Sequence, residues 1–156
     1  MPMDKILIVG IGNILCRDEG VGVHVIQEME DMELPGHIEL LDIGTSSPDL
    51  SSHLEGVSKI IVIDALKSGG PPGTIYRCTP KDLLANEEEP ISLREIGLME
   101  TLDMARKMGR EIDAVIIGVE PKVLDWGVEL SAEVKKQVPA IIEAVLKEAV
   151  STLTLH

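Results

Sequence analysis

A chain of 156 residues with 44 % hydrophobic content is long enough for one domain around a sizeable core and too apolar to be a disordered acidic chain. Acids outnumber bases 27 to 14, a formal charge of −13 that disfavours phosphate backbones and anionic lipid surfaces as partners. With no Phe, one Tyr (Tyr76) and one Trp (Trp126), the chain also lacks the aromatic platforms on which single-stranded bases stack, so no nucleic-acid partner is expected.

The aliphatic run Lys5-Ile6-Leu7-Ile8-Val9, closed by Gly10, predicts a strand buried on both faces. A glycine-rich loop follows. Apolar residues at 21, 25, 26 and 29 then give one face of a helix. After the Pro35-Gly36 turn signal, residues 38–42 predict a second strand, and Pro48 to Leu54 a short helix. The β-branched run at 59–64 predicts the third strand. Residues 74–78 alternate as an edge strand beyond the Gly69-Gly70-Pro71-Pro72-Gly73 break, and 86–90 form an acidic loop. Ser92 and Glu95 have capping-box spacing for a helix to about residue 108. Residues 114–119 are the last buried strand. A final helix begins near Ser131, kinks or restarts at Pro139, and runs to about Val150.

This alternation predicts a three-layer α/β fold for the whole of 1–156: a mostly parallel twisted sheet of about five strands with helices on both faces. The N-terminal apolar run is too short for a signal peptide or a spanning helix, and no later stretch reaches membrane length. Two cysteines, Cys16 and Cys78, make no disulfide framework. A cytoplasmic protein with reduced thiols and no membrane partner is expected.

Sites in such folds gather at the carboxyl ends of strands. The loop after the first strand begins Gly10-Ile11-Gly12 but has Leu15 where a dinucleotide fingerprint needs its third glycine. Asp18 and Glu19 in the same loop would repel a pyrophosphate. The second strand ends at Asp42 and the third at Asp64. Each acid can cap a turn or sit in solvent, and Asp18 and Glu19 read as well as solvated loop acids. If the strands are neighbours, however, Glu19, Asp42 and Asp64 share one crevice, and converging carboxylates call for a cation or a proton. No zinc helix, nucleophile elbow or phosphate loop is present. His24, His37 and His53 read as satisfied surface or core residues, and Cys16 as a small buried hydrophobe.

These residues bring a family into view. Gly10-Ile11-Gly12-Asn13, Asp18-Glu19-Gly20-Val21-Gly22, Asp42-Ile43-Gly44-Thr45, Val62-Ile63-Asp64-Ala65, Pro72-Gly73-Thr74, Ile96-Gly97-Leu98 and Gly118-Val119-Glu120-Pro121 follow in order along nearly the whole chain. In this the sequence resembles the hydrogenase maturation endopeptidases. The resemblance implies a peptidase that removes the C-terminal extension of a [NiFe]-hydrogenase large-subunit precursor after nickel insertion, sensing the nickel that the precursor carries. It implies Glu19 and Asp64 as carboxylate contacts to nickel and Asp42 as a substrate-recognition residue.

The family's third ligand, a histidine, is replaced by Arg94, which stays protonated and offers no lone pair. Arg94 is therefore assigned to the substrate side of the cleft, within reach of an ion pair with the carboxylates. The neighbouring Glu95 is a lesser candidate for a replacement ligand. Two carboxylates hold a divalent metal weakly, which suffices if the precursor brings it. Which group activates water is open between a carboxylate base and a metal-polarised carbonyl. Two other readings stand beside the peptidase: a homologue that binds the precursor as an assembly factor without cleaving it, and a nucleotide module built on Gly10 to Gly12.

Overall fold

The computed structural model describes residues 4–44, 50–85 and 93–154, and for 51, 83–85, 93–97 and 151–154 the backbone alone. Five strands, β1 (Lys5–Ile11), β2 (Ile38–Gly44), β3 (Val57–Ala65), β4 (Ile75–Cys78) and β5 (Asp113–Val119), form one sheet in the order β2-β1-β3-β5-β4. β1, β2, β3 and β5 run parallel, and β4 alone pairs antiparallel, along the outer edge of β5. Helices α1 (Val21–Glu30), α2 (Pro80–Ala85), α3 (Leu93–Lys107), α4 (Ala132–Lys135) and α5 (Val138–Thr154) complete the fold.

Strand alternation sorts the aliphatic residues into two cores. Ile6 and Ile8, Ile61 and Ile63, and Val115 and Ile117 point to one face, where α1 covers them with Val25, Ile26 and Met29 and α5 with Ile141 and Val145. Leu7 and Val9, Ile60 and Val62, and Ile116 point to the other, beneath Leu50, Leu54 and Leu98. Every strand residue from Ile6 to Val9 and from Ile60 to Ile63 is thus buried. This is why these stretches read as unbroken apolar runs rather than alternating ones.

Several boundaries differ from expectation. The third strand starts two residues earlier, at Val57. The last helix restarts near Pro139 as expected: α4 ends at Lys135 and α5 starts at Val138, with Pro139 in its first turn, where a missing N–H costs nothing. Helix α2 was not expected. Its start is sealed reciprocally, Thr79 N–H donating to the Asp82 carboxylate (2.8 Å) and Asp82 N–H to the Thr79 hydroxyl (3.3 Å), with Pro80 at the first helical position. The acidic loop 86–90, Ser92 and the first part of the 48–54 segment lie outside the described residues. Within that segment, Leu50–His53 forms a 3-10 turn. No helix among the described residues is long and apolar enough to cross a membrane.

Candidate active site

The strands that end in the predicted acids are neighbours, β2-β1-β3. Asp42 pairs with Gly10 and Gly10 with Ile63, so Asp42 and the end of β3 lie at one level, two strands or about 10 Å apart. Glu19 sits just beyond β1 in a 3-10 turn, Arg17–Gly20, which packs against β3. All three acids therefore lie along the carboxyl edge of the sheet.

The alternation that builds the cores also separates them. Asp64 has the parity of Ile60 and Val62 and lies on the α3 face, 3 % exposed; its carboxylate accepts the Ala65 N–H at 2.8 Å. Asp42 has the parity of Ile38 and Leu40 and lies on the α1 face, exposed, with its carboxylate accepting the Gly44 N–H at 3.0 Å. There it borders a groove of about 320 Å³ between loop 12–15 and Val23 and Gln27 of α1. Arg94 falls in the first turn of α3, the helix over the Asp64 face; its side chain, like that of Glu95, lies outside the described residues.

Two glycines allow the Glu19 turn to lie so close to the sheet. A Cβ on Gly22 would stand 2.1 Å from the Ile63 carbonyl oxygen, and one on Gly12 would stand 1.9 Å from the Glu19 carbonyl oxygen. The space a phosphate would need beside Gly12 is thus taken by the protein's own backbone. Arg17 holds a left-handed conformation (φ 47°), a strained choice for a side chain of this size. Its N–H donates to the Gly127 carbonyl (3.0 Å) and its Nε to the Glu129 carbonyl (3.0 Å).

Asp18, open to reading as a solvated acid, is fully buried. Its carboxylate accepts the N–H groups of Lys122 (2.8 Å), Val123 (2.9 Å) and Ser131 (2.8 Å) and the Ser131 hydroxyl (2.7 Å). Burial alone would raise its pKa, but those donors together hold it below the ordinary carboxylate value. The loop 121–131 is thereby tied to the Glu19 turn. The Nε2 of His24 is buried without a partner, and burial lowers the His24 pKa against the opposing effects of the Val128 backbone and Asp18. Cys16 is half-buried, and it bridges to Gly127 rather than filling a core.

Glu120, beyond β5, works similarly on the other flank. It accepts the N–H groups of Ser68 (2.8 Å) and Gly70 (3.1 Å) and the Tyr76 hydroxyl (2.8 Å), fixing the loop that follows Asp64. Burial, followed by the Glu120 contact, raises the Tyr76 pKa. The signal for both acids was in the sequence, a carboxylate next to a buried strand or a glycine turn. Their partners, up to 113 residues away, were not.

Among the described residues no group of three or more His, Cys, Asp or Glu side chains is placed to hold a metal ion.

Comparison with known proteins decides the family. The model for Hydrogenase maturation protease (HycI) matches residues 23–148. The chain belongs to the hydrogenase maturation protease family. It is 30 % identical to the Hydrogenase 2 maturation protease of Escherichia coli K12 over 145 residues, covering 91 % of this chain and 88 % of that one. It is 32 % identical to the Coenzyme F420 hydrogenase subunit delta of Methanothermobacter thermautotrophicus, covering 95 % and 97 %. The solved structure of the hydrogenase maturating endopeptidase HybD from E. coli superposes with a TM-score of 0.84 at 28 % identity, covering 95 % of this chain and 93 % of that one. Its likeness bears out the three-layer α/β fold of this family member.

Proposed function

We propose that this family member is a cytoplasmic endopeptidase that removes the C-terminal extension of a [NiFe]-hydrogenase large-subunit precursor once nickel has been inserted. The observation that carries the reading is the placement of three acids along the carboxyl edge of the sheet. Asp42 and Asp64 stand at the ends of β2 and β3 and Glu19 in the turn that packs against β3, with Asp64 almost fully buried. Nickel is the precursor's cargo in this scheme. Glu19 and Asp64 contact it on the α3 side, and Arg94, at the start of α3, lines the same cleft. Asp42 selects substrate on the α1 side, so the precursor straddles the carboxyl edge of the sheet.

The test is to incubate the protein with nickel-loaded and nickel-free precursor and weigh the products. Cleavage of the loaded form alone is expected. Glu19→Gln and Asp64→Asn are each expected to slow it at least about tenfold, since the loss of even an outer partner of a metal site costs that much. Intact precursor in both samples, with Arg94→His also inactive, would sink the peptidase.

A second reading has its own support. Arg94 stands where a ligand histidine is expected, and one relative of similar length is named a hydrogenase subunit rather than a protease. A protein that holds the precursor without cleaving it would form a stable complex of unchanged mass.

A further inference from the structure

Eight large hydrophobic side chains are exposed among the described residues, and four of them cluster beside the candidate site: Leu15 (50 %), Leu124 (40 %), Trp126 (80 %) and Val128 (60 %). Sequence separation hides the cluster. Gly127 N–H donates to the Leu15 carbonyl at 2.8 Å, which brings loop 121–131 alongside the Glu19 loop.

We propose that this patch is a docking surface for an apolar, basic segment of the precursor, reached before the scissile region enters the acidic cleft. The inference rests on the function proposed above and names where, outside the strand-end acids, the substrate is held.

Three observations support it. The loop is held rigid: its backbone is fastened to the buried carboxylate of Asp18 at residues 122, 123 and 131, and to the Leu15–Arg17 segment at residue 127. Trp126 stands 80 % exposed on a loop whose backbone is already fixed, and such a loop loses less entropy on association than a free one. The charge around the patch is selective. Asp125 and Glu129 are exposed on either side of Trp126. The nearby cations are Lys122, paired with Glu133, and Arg17, whose Nε donates to the neutral Glu129 carbonyl and which keeps its charge, so the acids exceed the bases by one. The partner that complements this is apolar and carries Lys or Arg; a second copy of this chain, at −13, is repelled. Finally, Leu15 belongs to both the patch and the lining of the Asp42 groove, so a segment bound on the patch lies next to that groove.

Trp126 is the only Trp, so its fluorescence reports on the patch directly. Titrating the protein with nickel-loaded large-subunit precursor is expected to shift the emission to the blue and to saturate. Trp126→Ala, and separately Val128→Ser, are expected to weaken precursor binding, measured by calorimetry, at least about tenfold and severalfold respectively. Their unfolding temperatures should stay at the wild-type value because both side chains are solvent-exposed. Met108→Ser, at an exposed hydrophobic outside the patch, should bind as wild type. Binding by wild type without a change in Trp126 emission overturns the proposal, as does undiminished binding by both patch variants; the peptidase reading survives either result. Self-association abolished by Trp126→Ala, with precursor affinity unchanged, overturns it in favour of a second copy. Wild type that neither binds nor cleaves the precursor removes the function and this surface together.

Discussion

At the scale of single residues, Asp18 and Glu19 show how adjacent acids acquire different work. Asp18 is satisfied by four donors and holds structure, whereas Glu19 is half-buried at the candidate site. Replacing Asp18 by Asn exchanges one acceptor oxygen for an NH₂ group that faces donors. Asp18→Asn is expected to cost about 3 kcal/mol in denaturant unfolding, because a buried charge-assisted network loses an acceptor and leaves N–H groups unpaired. The pH sign follows from the depressed pKa. The stabilisation is complete above the unfolded carboxylate value and is lost as pH falls through the lower folded one. Nothing adjacent in sequence distinguishes the two acids, since the donors to Asp18 come from residues 122–131. Asp42 and Asp64 were legible as strand-end acids, but their opposite faces depend on register and parity. Arg94 was legible as a departure from a histidine pattern.

At the scale of elements, the fit of α1 onto the sheet depends on the absence of one side chain. Gly22→Ala would push a methyl group into the Ile63 carbonyl, and backbone on both sides leaves little room to give. A loss of at least about 3 kcal/mol in unfolding free energy is expected.

The opposite end of the sheet is tied by charge. Glu148 of α5 accepts Lys59 Nζ of β3 at 3.1 Å and pairs with Arg77 of β4 through 2.7 and 2.8 Å contacts. Held first by Arg77, against the opposing effect of burial, and also by Lys59, its pKa falls from its ordinary 4.5 to about 2. A depressed carboxylate stabilises fully above the higher value and progressively less as pH falls from about 4.5 toward about 2. Unfolding free energies measured across that interval should decline less steeply in Glu148→Gln than in wild type. The long strands and α1 were readable because continuous aliphatic runs, and the helical spacing of apolar residues at 21, 25, 26 and 29, are local signals. Helix α2 was missed because its cap pairs Thr79 with Asp82 where Glu or Gln is the commoner partner.

At the scale of the whole molecule, the excess of acids sets the terms of encounter. A surface at −13 attracts a basic segment over distances that salt screens. Stopped-flow association with precursor, followed through Trp126, is expected to slow roughly tenfold between about 0.05 and 0.5 M salt, with dissociation changing little. The layered fold and parallel sheet were accessible from the sequence because each buried strand carries its own signature. The candidate site was accessible only as a set of strand ends, and strand order turned that set into an edge.

The two-sided sheet also dictates an order of events during synthesis. Strand β1 emerges first, yet both its neighbours are made later, and the central strand β3 must wait for β5. Helix α1 covers β1 and part of β3 early, but the part of that face over β5, with Val115 and Ile117, stays uncovered until α5, residues 138–154, has been made. Contacts of such long sequence separation form slowly. A growing chain thus carries several bare aliphatic strands at once, and its early strands would seed aggregation if translation stalled before the last helix. Truncating α5 should therefore yield insoluble protein rather than a smaller folded one.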